Sequence, residues 1–192
     1  MNIKETATNL QKVFDEMGET FSAFQRESGL TCLPGCGKCC LFPDVESTVL
    51  ECLPMALRIH REGTLDQWIE KLESADHVCV MWEGDRATGA GRCTSYETRP
   101  SICRLFGASG YFDKNHNVSL SVCKLIKETH AETLKKVSEG RTLVNTPMIA
   151  QWYTKIQSLG TPELLERRPM NQAILGALQL IGFYAQYQEL DV

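Results

Sequence analysis

Four cysteines fall within nine residues, in the run Thr31-Cys32-Leu33-Pro34-Gly35-Cys36-Gly37-Lys38-Cys39-Cys40. No regular element absorbs such a run. Pro34 lacks a backbone donor, and Gly35 and Gly37 mark tight turns that let backbone amides face inward. A loop buries little, so packing does not account for four thiols in it. Ligation does: thiolates bind soft and borderline metals, glycines permit the sharp bends that bring sulfurs together, and inward amides spread the sulfur charge. Adjacent Cys39 and Cys40 would close a strained chelate ring on one tetrahedral ion, so they are expected to point to different metals, or one is a spare.

The whole chain holds nine cysteines in 192 residues, too many for incidental core positions and too few for a disulfide-dense scaffold. Met1-Asn2-Ile3-Lys4-Glu5-Thr6 opens a charged, amphipathic stretch with no apolar export segment. The most apolar window, residues 173–185, is interrupted by Gln179 and is short for a membrane span. The expected compartment is therefore the cytosol, where thiols stay reduced, and an odd count argues further against a fully paired framework. With 20 Lys and Arg against 24 Asp and Glu, a net charge of −4 and a pI near 5.6, a nucleic-acid partner is not expected.

Residues 3–28 carry Leu10, Val13, Phe14, Met17, Phe21 and Phe24 at helical spacing, with Gly29 as the stop. A second helix is expected from Val45 to Arg61, kinked or restarted at Pro54, and a third after Gly63, opened by a capping box from Thr64 to Gln67. Val78 to Trp82 and Arg92 to Tyr96 read as two short strands around a glycine-rich turn, and Pro100 as the start of a short helix that Gly107 ends. Tyr111-Phe112 and Val118 to Leu120 suggest a second hairpin, followed by a helix over 121–139 ended by Gly140. Thr146-Pro147 and Thr161-Pro162 are two further helix starts, and Asn171 to Leu190 is a last amphipathic helix whose apolar face is expected to close the core. The expected fold is mostly α: a single domain, residues 1–192, of about six to seven helices with an irregular cysteine-rich centre and one or two short β-hairpins. Its metal-binding core, 31–123, is expected to sit between the N-terminal helix 3–28 and C-terminal helices over 147–190.

Further ligands are available in Cys79 and Cys93, which straddle the first predicted hairpin, and in Cys103 and Cys123 near helix starts. At a helix N-terminus the dipole and free amides lower a thiol pKa, which favours the thiolate at the last two. Arg99 and Arg104 flank Cys103, and their charge either offsets the thiolates or forms surface salt bridges. Cys52 lies on the Leu50 and Leu53 side of a helix and reads as core. His77, two residues before Cys79, reads as a surface or capping histidine rather than a replacement ligand, and His60, His116 and His130 need no special role. Trp68, Trp82, Trp152, Met55 and Met148 read as core.

The segment Cys36-Gly37-Lys38-Cys39-Cys40, followed by Cys93-Thr94-Ser95-Tyr96-Glu97-Thr98-Arg99-Pro100-Ser101-Ile102-Cys103-Arg104, resembles the bacterial cysteine-cluster family named for its CxxCxxCC motif. The resemblance spans residues 32–123 and implies zinc or iron chelation and, by frequent label, an iron-sulfur oxidoreductase. It implies eight metal-binding cysteines, matched here by Cys32, Cys36, Cys39, Cys40, Cys79, Cys93, Cys103 and Cys123. The chain departs from the family pattern in spacing Cys32 and Cys36 by three residues rather than two.

Eight thiolates can hold two zinc ions, one or two iron-sulfur clusters, or one cluster and one zinc. Structural zinc usually draws on paired knuckles, whereas one dense loop with scattered distant partners is closer to cluster ligation, so iron is slightly favoured. An electron-transfer or redox role with a redox protein partner follows from iron, and a zinc-stabilised binding or metal-handling protein from zinc. Flagellin lysine N-methylases carry a similar cysteine cluster, so methyl transfer is a further alternative by resemblance. The spacing Cys32-x3-Cys36-x2-Cys39 also matches radical S-adenosylmethionine enzymes, but no alternating strand-helix pattern surrounds it. Hydrolytic and nucleotide motifs are absent from the sequence.

Overall fold

The computed structural model describes residues 2–139 and 146–187. Helix α1 (Ile3–Ser28) starts where Asn2 accepts a hydrogen bond from the Glu5 amide at 3.0 Å and stops at Gly29, which turns left-handed at φ 71°. Both ends are where the periodicity puts them. Its buried stripe of Leu10, Phe14, Met17, Phe21 and Phe24 repeats every three to four residues.

The second helix starts later than its sequence suggests. Residues 46–48 form β1 (Glu46–Thr48), which pairs antiparallel with β6 (Arg167–Pro169), and α2 (Val49–Arg61) begins only after the Thr48 hydroxyl has accepted the Glu51 amide at 3.1 Å. This strand pair was not foreseen. Helix α2 also continues through Pro54 without a restart, giving up the hydrogen bond that residue would make to the Leu50 carbonyl.

Helix α8 (Met170–Tyr187) lies along α2 and buries Ala173, Ile174, Ala177, Leu178 and Ile181, so its apolar face closes the core. The two backbones approach closely at Gly176, where a Cβ would stand 2.9 Å from Val49 Cγ2. Helix α1 covers another side of α2, and α3 (Leu65–Glu73) contacts α8. Thr64 does not cap α3 as a box would; its hydroxyl donates back to the Ile59 carbonyl at 3.4 Å. The last three residues of the expected 171–190 helix lie outside the described residues, as does Gly140.

Both foreseen hairpins form with shifted registers. The first joins β2 (Trp82–Asp85) to β3 (Ala90–Cys93), not 78–82 to 92–96. Asn171 explains half of the shift: it accepts from the Val80 amide at 3.0 Å and donates to the Asp76 and Val78 carbonyls at 2.9 Å, which occupies the groups a strand would need. Tyr96 is instead in a short 3-10 turn, Tyr96–Thr98. The second hairpin joins β4 (Ala108–Phe112) to β5 (Val118–Val122).

Strand β5 takes residues 121 and 122 from the helix expected over 121–139, and the remainder divides at His130 into α5 (Lys124–Thr129) and α6 (Ala131–Glu139). Between the hairpins lies α4 (Ser101–Leu105), with Pro100 one position outside it, and α7 (Ile149–Gln157) follows Met148 rather than Thr146. Thr161-Pro162 opens only a 3-10 turn. The main buried cluster centres on α1, α2 and α8, and a smaller one joins Phe24, Leu30, Ala108, Val122 and Ile126. Trp82, Trp152 and Met55 are buried as expected, whereas Trp68 and Met148 are half-buried. Among the described residues no helix is long and apolar enough to cross a membrane.

Candidate metal centre

The cysteine loop is docked on the β2–β3 hairpin by its glycines. The Gly37 amide donates to the Gly89 carbonyl at 2.9 Å, the Gly91 amide donates to the Gly35 carbonyl at 2.8 Å, and Cys36 forms an isolated bridge with Ala90. Trp82 fixes the approach: its indole lies between Gly37 and Gly91, and a Cβ on either would collide with it. Either glycine mutated to alanine must therefore displace the loop. The Cys79 amide donates to the Cys40 carbonyl at 3.2 Å, tying the far end of the loop to residues 76–80.

Two adjoining cavities lie behind this loop. The inner one, about 20 Å³, is lined by Cys39, Cys40, Cys79, Cys103 and His77, with Phe42, Val45, Ile102, Phe106 and Met170 as apolar walls. The outer one, about 590 Å³, is lined by Cys32, Cys36, Cys39, Cys103 and Cys123. Cys93 lies on neither wall but is an electrostatic neighbour of Cys79 and Cys103. Cys32 sits against Gly107, where an added Cβ would stand 3.3 Å from its sulfur, and the Gly107 carbonyl accepts from the Cys123 amide at 2.9 Å. Cys52 is fully buried beside Ser47, which confirms its place in the core.

Some sulfurs already receive backbone hydrogen bonds. The Met81 amide donates to Cys79 and the Ser95 amide to Cys93. Such bonds favour the charged thiolate. The Cys40 thiol also donates to Cys39; that bond pulls the Cys39 pKa down and pushes the Cys40 pKa far up. Burial pushes Cys79 up to about 11 and raises Cys32 and Cys93 as well. Burial likewise drives Cys103 well up, which corrects the expectation of a helix-lowered thiol there: α4 has only five residues, and desolvation outweighs its end.

Arg99 lies among the sulfurs, and its charge favours the thiolate at Cys32, Cys39, Cys93 and Cys103. Its guanidinium stacks 3.7 Å from the Tyr96 ring centroid, and among the described residues its buried Nε finds no acceptor. Arg104 is buried and, among the described residues, forms no salt bridge. It donates to the carbonyls of Arg99 and Glu97 and lies over Phe14, and burial lowers its pKa to about 10.

One residue that positions a thiol escaped the sequence reading. Glu51, buried in α2, accepts from the Ser101 amide at 3.1 Å, from the Ser101 hydroxyl, and from the Thr48 hydroxyl at 3.1 Å. It thereby holds the start of α4, two residues before Cys103. Its signal was the Thr48-x-x-Glu51 spacing of a helix start.

These donors match zinc or iron in kind, being thiols with one histidine on the inner wall and one carboxylate, Glu128, on the outer. Among the described residues no three of them stand close enough to hold an ion in their present rotamers, so ligation must draw the sulfurs inward.

A helical chain that gathers thiols around adjoining cavities has the make-up of a soft-metal chelator. Residues 31–137 match the CxxCxxCC family, "Putative zinc- or iron-chelating domain", and as the match covers more than half of the chain, the protein belongs to that family. The match extends past Cys123 through most of α6. No curated protein and no solved structure matches the chain.

Proposed function

We propose that the protein ligates zinc or iron through Cys32, Cys36, Cys39, Cys40, Cys79, Cys93, Cys103 and Cys123, and that with iron it works as a cytosolic electron-transfer or redox protein. The observation that carries this reading is that seven of the nine cysteines line two adjoining cavities and an eighth lies beside Cys79, though they come from the loop, the segment before the first hairpin, its second strand, α4 and the start of α5. Random burial of nine small side chains does not converge in this way. Amide donors to Cys79 and Cys93, the Cys40 thiol beside Cys39, and the Arg99 charge support the thiolate state that metal binding needs.

Bound iron would supply one-electron chemistry, and the chain's own part is to hold the sulfurs, admit or exclude water and offset their charge. A second reading, zinc that only stabilises the irregular middle of the chain, is favoured by the inner cavity, whose 20 Å³ suits a single ion rather than a cluster. The discriminating experiment is a visible spectrum of protein purified without oxygen, followed by reductive titration. Absorption that bleaches on reduction and returns on oxidation is the expected result for the redox reading; a colourless, redox-silent protein containing zinc rejects it and leaves the structural one.

A further inference from the structure

We propose that the eight thiols form two unequal four-sulfur sites: a closed inner site of Cys40, Cys79, Cys93 and Cys103 that holds one ion for the fold, and an open outer site of Cys32, Cys36, Cys39 and Cys123 whose ion exchanges with solution. This rests on the metal-binding reading above and adds the grouping and the division of labour.

The loop's own geometry separates the sulfurs. Cys39 and Cys40 share one short 3-10 turn, Lys38–Leu41, yet Cys40 lines only the inner cavity, whereas Cys39 also lines the outer one. The electrostatic neighbours follow this division except at Cys39. Cys32 is influenced most by Cys123, Cys103 most by Cys79 and Cys79 most by Cys93, while Cys39 acts on Cys32 and also on Cys40, Cys79, Cys93 and Cys103. Cys39 borders both sets, but assigning it to the inner one would leave the outer with three sulfurs and the inner with five.

The surroundings make the sites unequal. The inner cavity holds about 20 Å³, near the room one water occupies, between Val45, Ile102, Phe106 and Met170, of which Met170 is buried in the main core. An ion there is shielded from chelators, and its ligands are fastened to core elements: Cys79 by the Asn171 clamp on its neighbours and Cys103 by Glu51 through α4. The outer cavity is about 590 Å³, and Cys32 at its rim is exposed. Lys38, Arg92, Arg99, Arg104 and Lys124 line it against the single carboxylate of Glu128, although the chain as a whole carries a net charge of −4. That local excess offsets the thiolates and draws an anionic chelator inward.

The test uses the full chain loaded with Zn2+, with release to a chromophoric chelator followed in time and zinc content measured before and after. Two zinc ions per chain leaving in two phases, separated at least about tenfold in rate, are expected; tenfold corresponds to about 1.4 kcal/mol of barrier. Cys36→Ser and Cys123→Ser should each abolish the fast phase, keep one slow zinc and keep the helical circular dichroism. Cys52→Ala should change neither phase. Cys79→Ser should remove the slow zinc, and should it fail to fold, the two outer variants still decide the matter. A single release phase, or loss of the slow zinc in Cys36→Ser, overturns the division while leaving the metal-binding reading intact. A chain that takes up no zinc or iron at all overturns both.

Discussion

Cys103→Ser is expected to strip the protein of its most tightly held metal and to unfold the centre of the chain. Cys103 is the sulfur on which most of the local structure converges. It lines both cavities, its helix is anchored by Glu51, and of its neighbours Cys79 lies just before the first hairpin and Cys93 ends that hairpin's second strand. Serine keeps the size but is a poor ligand for zinc or iron. Structural zinc contributes roughly 10–16 kcal/mol of apparent folding free energy in small domains, which is comparable to the roughly 5–15 kcal/mol net stability of a typical domain. Little else in residues 31–48 can replace it, since these residues contribute few buried apolar side chains. The measurement is metal content together with a chelator-sensitive thermal melt. Wild type should lose a transition on chelation that Cys103→Ser already lacks, while α1, α2 and α8, packed on one another, retain their helical signal. A variant with wild-type metal content and melting behaviour would remove Cys103 from the ligand set.

Glu51→Ala is the second large effect. This carboxylate is 5% exposed and accepts three hydrogen bonds, two of them from Ser101. Alanine leaves the Ser101 amide and two hydroxyls without their acceptor, at about 1–3 kcal/mol for each buried group that finds no replacement. A net loss of about 3 kcal/mol corresponds to a fall of roughly 6–12 °C in Tm for a chain of this size. Because α4 carries Cys103, metal affinity should fall with stability. Glu51→Gln keeps the shape and one acceptor, so it should cost less than half as much. Glu16→Gln, which removes an exposed ion pair to Lys155, should cost almost nothing. The check is calorimetry of the three variants in metal-loaded and chelated forms; equal destabilisation by Glu16→Gln and Glu51→Ala would contradict the assigned role.

Local rules suffice where several signals agree on one element. Helix α1 was legible to the residue because its apolar stripe and the Gly29 stop coincide, and the Asn2 cap found in the structure agrees with both. The clustering of the loop cysteines was legible from four thiols beside glycine and proline, and the structure gathers them on the walls of the two cavities, with Cys39 bordering both and Cys40 only the inner one. The strand at 118–122 was half legible: Val118, Leu120 and Val122 alternate with Ser119 and Ser121, but a helix-like pattern just beyond drew the boundary too early. Long-range terms were not legible. The β1–β6 pair joins residues more than a hundred positions apart, and the Asn171 clamp crosses more than ninety, so neither leaves a local trace. Cys103 failed for a related reason. A helix start promises a lowered pKa, but the desolvation that reverses it comes from elements folded over it from elsewhere in the chain.

The central claim, that eight thiols serve metal and the ninth serves the core, is tested most directly by counting thiols. Native protein is treated with iodoacetamide before and after a strong chelator, with metal content measured on the same sample and each cysteine resolved by mass spectrometry. The account predicts bound zinc or iron, protection of Cys32, Cys36, Cys39, Cys40, Cys79, Cys93, Cys103 and Cys123 that is lost on chelation, and protection of Cys52 that persists until the protein is unfolded. Metal-free protein whose exposed Cys32 and loop thiols alkylate at the same rate before and after incubation with Zn2+ or Fe2+ would contradict it.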